Sequence, residues 1–180
     1  MNDVVKLGLV MSGIGIILAL VYKMVNPNFM FSGTSIGISL LVTAVIAVYF
    51  GRRFLRNPEE GRLGYGQAIK KLFMAFLITV VISAGVNNLM YGGDENLMQS
   101  WDTYQEDMQI SGARLGAKIA GGSEAEQDAA EEKIREMIDS GEIQKQSYPF
   151  TWSQFPMALV NGAVMYLLLA LLLALFVRER

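Results

Sequence analysis

The chain contains no cysteine and no histidine. Their absence removes disulfides, thiolate or imidazole zinc sites, haem ligation through histidine, and every nucleophile or base scheme that uses either residue. Charge is sparse as well: Asp, Glu, Lys and Arg make up 18% of 180 residues. None of them falls in the middle of any long apolar stretch. Proton relays, ion-coupled transporters and voltage sensors normally need such groups at depth, so the chain on its own is a poor pump. An inverted repeat of the transporter kind is missing too.

What is present is apolar: 52% of the residues, gathered into long blocks and not spread periodically. A bilayer core about 30 Å thick takes roughly 20 apolar helical residues to cross, because backbone amides find no water there. Four blocks have that length: Val4 to Val25, Met30 to Phe50, Leu72 to Tyr91 and Pro156 to Val177. Lys6 and Lys23 sit near the ends of the first, where their stems reach toward headgroups. Asn26-Pro27-Asn28 turns the first block into the second, which predicts a helical hairpin. Ser153 is the expected cap of the last block and Pro156 its first-turn residue. Tyr148, Phe150, Trp152 and Phe155 form an aromatic cluster of the kind found at a membrane boundary. The first block lacks a small-x-small cleavage pattern after it and is expected to be retained.

The segments between the blocks differ in charge. Arg52, Arg53, Arg56, Arg62, Lys70 and Lys71 face only Glu59 and Glu60 between the second and third blocks. Basic loops stay on the cytoplasmic side, which predicts both termini inside. Between Asp94 and Lys145 there are thirteen acidic and five basic residues, a net of −8. That insertion, about 94–146, is therefore expected outside the cytoplasm.

It is too polar to span but not featureless. Trp101, Tyr104, Met108, Leu115 and Ile119 recur on one face of a helix, despite Gly112. Gly121-Gly122 breaks the chain, and Ser123 with Glu126 forms an S-x-x-E capping box that opens a second helix, with Ala130, Ile134, Met137 and Ile138 along one side and Gly141 closing it. The simplest cover for two such faces is a cap on their own bundle, with a partner protein or the lipid surface as alternatives. No calcium-loop spacing occurs, so no metal site is expected, and the acidic charge would repel nucleic acid.

Within the blocks, Gly8, Ser12, Gly15 and Ala19 share a helical face, and Gly33 and Gly37 make a G-x-x-x-G. Such faces let helix backbones approach closely, here predicted within the chain ahead of a dimer contact. Asn87 and Asn88 lie near the end of the third block and Asn161 near the start of the fourth, close enough in depth for an interhelical hydrogen bond. The loop Gly61-Arg62-Leu63-Gly64-Tyr65-Gly66-Gln67 fits neither a P-loop nor a dinucleotide fingerprint and reads as a flexible entry into the third block. Arg52, Arg53 and Arg56 are candidates for contact with anionic lipid headgroups. No serine has a histidine partner, so no catalytic residue and no cofactor are assigned.

The order of features resembles a bacterial membrane-protein family known as domain of unknown function 4199. The likeness rests on a glycine-containing first span, Tyr49-Phe50-Gly51-Arg52-Arg53-Phe54 closing the second, an Arg56-Asn57 to Gly61 linker, and Tyr65-Gly66-Gln67-Ala68-Ile69-Lys70 leading into the third. An alanine- and glutamate-rich insertion helix and a final span closing on basic residues complete it. The resemblance implies four spans, a helical insertion before the last, and no established activity. The expectation is an all-α integral protein of the bacterial inner membrane: a non-enzymatic accessory subunit or scaffold, with membrane lipids and other membrane proteins or further copies of itself as partners. The alternative is an oligomeric transporter or channel component.

Overall fold

The computed structural model describes residues 3–55 and 63–178. Among these there are six α-helices and no strand. They are α1 (Asp3–Val25), α2 (Gly33–Phe54), α3 (Tyr65–Tyr91), α4 (Glu95–Ile119), α5 (Glu124–Asp139) and α6 (Phe155–Val177). Four of them, α1, α2, α3 and α6, are long and apolar enough to cross a membrane. The chain divides into two compact units, residues 1–94 with 149–180, and residues 95–148.

Local chemistry sets the helix limits, sometimes differently from the expectation. The Asn26 side chain accepts a hydrogen bond from the Asn28 amide at 2.9 Å, and Pro27 opens a 3-10 turn over Pro27–Phe31. That turn consumes apolar residues expected in the second span, so α2 begins at Gly33, where Ser32 caps the Ser35 amide at 3.2 Å. At its other end α2 runs past Phe50 to Phe54, since Arg52 and Arg53 favour a helix C-terminus. α3 starts at Tyr65 and not Leu72: Lys70 and Lys71 are good helix formers, and what reads as a flexible entry is helical from Tyr65 on. Pro156 does lie in the first turn of α6, but the cap is Gln154 without a side-chain bond. Ser153 instead shares a 3.0 Å contact with the Thr151 hydroxyl.

In the four-helix unit, α3 packs along both α1 and α6, while α2 touches α1 and α6. Leu7, Met11, Ala47, Leu72, Ala75, Phe76, Ala170 and Ala174 form the common core. Where lipid replaces water, close contact and not water release holds helices together, so small residues at crossings matter most. A Cβ on Gly8 would come within 2.9 Å of the Ala75 carbonyl oxygen and 2.8 Å of the Ile78 side chain. On the other flank of α3, a Cβ on Gly162 would meet Val80 at 2.9 Å. Phe76 of α3 stacks on Tyr166 of α6, centroids 4.8 Å apart and planes 9° from parallel.

α2 is held differently. A Cβ on Gly51 would lie 3.3 Å from Val177, and the Arg52 Nε donates to the Phe176 carbonyl at 2.8 Å, satisfying an end carbonyl of α6. At the opposite end of the unit, Lys23 of α1 is ion-paired with Asp94, just beyond α3, and stands 5.2 Å from the centre of the Tyr91 ring. Phe150 lies against both Tyr91 and Phe31, at 5.5 and 6.0 Å. In the aromatic cluster upstream of α6, Trp152 packs on Phe155 at 5.6 Å.

The second unit pairs α4 with α5. Gly121, at φ 81°, makes a turn that a side chain would strain, and Gly141, at φ 75°, closes α5 in the same left-handed conformation. The capping box is formed: the Ser123 amide donates to Glu126 Oε2 at 2.7 Å and the Glu126 amide to Ser123 Oγ at 3.4 Å. The Ser123 amide, joined by the Ser123 hydroxyl donating to the same oxygen at 2.9 Å, holds the Glu126 carboxyl below its usual range. Arg135 does the same for Glu131, which also lies 3.5 Å from Arg114 of α4. Ala130, Ile134, Met137 and Ile138 of α5 are half-buried, as their spacing requires. The face expected for α4 is covered only in part, with Trp101 and Tyr104 half-buried. Leu97, Ser100 and Gln105 are buried and the small Ala113 and Ala117 half-buried, whereas Met108, Leu115 and Ile119 remain 57–78% exposed. α5 lies beside the C-terminal half of α4, where Arg114 reaches Asp128 and Glu131, and Gln105 is bonded to the Gln146 backbone.

Candidate functional site

Two concavities in the four-helix unit carry polar chemistry. The first, about 320 Å³, lies among α1, α2, α3 and α6, with Phe150 and Tyr166 in its wall. Tyr22, Ser35, Ser39, Thr43, Thr79, Ser83 and Asn87 supply its polar lining, set among Met11, Leu18, Ile36 and Leu40. These polar residues recur at helical spacing: 35, 39 and 43 on α2, and 79, 83 and 87 on α3. In helices apolar on all sides, two such stripes mark the inward faces, a signal carried by the spacing alone.

Most of these groups are occupied. Ser35 Oγ donates within its own turn to the Ser32 carbonyl at 2.7 Å, and Thr79 Oγ1 lies 3.0 Å from the Ala75 carbonyl and 3.2 Å from that of Gly8 across the helix interface. Ser39 Oγ donates to the Tyr22 hydroxyl at 3.3 Å. The Asn87 Oδ1 is buried and has no hydrogen-bond partner among the described residues. A buried amide oxygen in that condition costs about 1–3 kcal/mol, which a hydrogen-bond donor entering the cavity would recover. At about 30 Å³ per molecule the space is roughly ten waters. Its lining carries no formal charge, so it suits neutral guests that donate and accept hydrogen bonds.

The remaining residues singled out in the sequence fall as follows. Ser12 is buried and bonds back to the Gly8 carbonyl at 2.7 Å. Gly8 is at a true crossing, and Gly15 is 3.8 Å from Ser83 Oγ, measured from an added Cβ. Gly33 and Gly37 face open space: nothing lies within 4 Å of a Cβ at either, so the G-x-x-x-G packs against no helix among the described residues. The asparagines do not meet. Asn88 Nδ2 donates to the Thr151 carbonyl at 3.3 Å, while Asn161 is exposed, because its neighbour Gly162 is the residue turned toward α3. One step along a helix rotates a side chain by about 100°. Gly51 and Gly162, both at crossings, were not singled out by their spacing.

The second concavity is an apolar groove of about 760 Å³ between α2 and α6, lined by Ala44, Val45, Val48, Tyr49, Leu173 and Phe176 and ending at Arg52 and Arg53. Arg56, and with it the linker from Asn57 through Gly61 and Arg62, lies outside the described residues. Among the described residues no group of three or more acidic, His or Cys side chains is placed to hold a metal ion.

Four apolar helices around a small polar interior, with a charged helical hairpin inserted before the last, define a multi-span helical membrane protein. The family model described as Protein of unknown function (DUF4199) matches residues 6–179, and the chain belongs to that family. Comparisons with curated proteins and with solved structures give no match.

Proposed function

We propose that this chain is a non-enzymatic component of a membrane assembly, an accessory subunit or scaffold that works through its contacts. The observation that carries this reading is the inequality of its faces. α3 is closed on two sides by glycine crossings, whereas α2 leaves Gly33 and Gly37 open beside Ile36, Leu41 and Val45, which are 48–67% exposed. An open G-x-x-x-G suits a helix of another membrane protein or of a second copy. The uncovered Met108, Leu115 and Ile119 on α4 offer a second surface of the same kind. Lipids are the other partners; nucleic acid, cofactors and catalysis have no place in this reading.

The charge asymmetry supports a bacterial inner-membrane location with both termini in the cytoplasm and the acidic insertion outside. Single cysteines at Asn57 and Ser123, in a chain with none of its own, report this directly. A membrane-impermeant thiol reagent on intact cells should reach Ser123→Cys and spare Asn57→Cys. Purification in mild detergent should return stoichiometric partners or a defined homo-oligomer, lost in Gly37→Leu. A stable lone monomer turning over a lipid or peptide would overturn the proposal.

The polar cavity favours a second reading, a conduit for small neutral solutes completed by oligomerisation. It predicts solute flux in reconstituted vesicles that falls when Asn87 is replaced by Leu.

A further inference from the structure

We infer that the groove between α2 and α6 is a binding site for one anionic phospholipid, its phosphate held by Arg52 and Arg53 and one acyl chain lying along α2. The inference rests on membrane insertion of the four helices but not on any subunit role. Three observations converge on it.

The first is charge without compensation. Both arginines line the groove end, and neither is ion-paired with a carboxylate among the described residues. Arg52 has one donor, Nε, engaged on the Phe176 carbonyl, which fixes the guanidinium between the two helices and leaves its terminal nitrogens for a second acceptor. Guanidinium groups bind phosphate oxygens in paired, charge-assisted hydrogen bonds.

The second is the lining below them. From Arg52 back to Ala44 the walls are Val48, Val45 and, from α6, Leu173 and Phe176, with no charged group. Tyr49 lies between the arginines and this apolar stretch, the position a phenol takes at a membrane boundary.

The third is length. Eight residues of helix at 1.5 Å each put Ala44 about 12 Å from Arg52. Half of a hydrocarbon core about 30 Å thick is about 15 Å. A groove of this depth fits the chain of a lipid from a single leaflet, with its headgroup at the arginines, and its volume of about 760 Å³ leaves room for it. A soluble phosphate would use the arginines and leave the apolar walls unfilled.

The test titrates the purified full-length protein, in neutral detergent, with dioleoyl phosphatidylglycerol and with dioleoyl phosphatidylcholine, reading retained lipid by native mass spectrometry. Phosphatidylglycerol should bind about thirtyfold more tightly, from roughly one fivefold increment for each of the two arginines. The Arg52→Gln, Arg53→Gln pair should erase that preference. Arg53→Gln alone, which removes no hydrogen bond within the described protein, should reduce it and serves if the pair fails to fold. Val48→Trp, which fills the groove, should weaken both lipids. Lys70→Gln, an exposed cation on α3, should change nothing. Equal retention of the two lipids, a preference that survives loss of both arginines, equal losses from Lys70→Gln and Arg53→Gln, or competition by glycerol phosphate as strong as by the lipid would each overturn the assignment.

Discussion

α3 and α2 are both apolar helices of more than 20 residues, yet a third of the most apolar stretch of α3 is buried against 11% for α2. The difference comes from where glycine and aromatic residues fall and not from hydrophobicity. α3 is gripped on one flank by Gly8 of α1 and on the other by Gly162 and the Phe76–Tyr166 stack, while α2 meets α6 near Gly51 and Arg52 and α1 through the Ser39–Tyr22 bond. Between lipid and protein an apolar side chain has little preference, so packing is decided by how near two backbones can come. One helix thus organises the bundle, and another of similar composition is left open to something else.

The strongest way to break this contrast is to remove the stack. Phe76→Ala should cost about 3 kcal/mol of unfolding free energy in a detergent titration, the low end for a large aromatic because no water transfer contributes. Leu41→Ala on the exposed side of α2 should cost under about 0.5 kcal/mol. Equal losses would mean that α2 is as integral as α3. Next, Gly162→Leu should destabilise by about 1–3 kcal/mol through overpacking against Val80. Gly37→Leu, facing open space, should leave the monomer's unfolding midpoint unmoved while abolishing any association.

A smaller effect is expected at the Lys23–Asp94 pair, which is only partly exposed. Lys23→Ala should cost about 1–2 kcal/mol, between the values for surface and buried pairs. The exchange Lys23→Asp with Asp94→Lys should recover part of it, and no recovery would assign the loss to packing on Tyr91. Smallest is the cap of α5, where Ser123→Ala should cost about 1 kcal/mol locally, read by hydrogen exchange of the α5 amides in the full chain. Because the Glu126 carboxyl is held below its usual range in the folded chain, its support is complete above the unfolded value and lost as pH falls through the folded one. Protection of α5 should therefore weaken in acid, and Glu126→Gln should reduce that dependence, leaving the share that comes from Glu131 and its Arg135 partner.

Much of the fold was legible in residue order. Four blocks of span length, the Asn26-Pro27 turn, the Ser123–Glu126 capping box and the Gly121 and Gly141 breaks all reflect local chemistry that acts within a few residues. Rotation about the helix axes was harder. A helix apolar on every side carries no moment to say which face turns inward, so Gly33 and Gly37 were placed at a crossing they do not make and Asn161 opposite partners it does not reach. The stripe of Ser35, Ser39 and Thr43 opposite Thr79, Ser83 and Asn87 did hold that information, in weakly polar residues easily set aside as bonding to their own turns. In the insertion, spacing identified α4 as amphipathic, but Met108, Leu115 and Ile119 of the expected face stay exposed while Leu97, Ser100 and Gln105 are buried.

The neutral lining of the bundle also bears on how it responds to its surroundings. Carrying one elementary charge through the field changes a rearrangement's free energy by about 2.3 kcal/mol per 100 mV. The cavity of this bundle is lined by hydroxyls, one amide and hydrocarbon, so sliding or tilting of its helices displaces almost no charge. Such motions would be deaf to voltage and answer instead to bilayer thickness, lateral pressure and whichever molecules lean against α2.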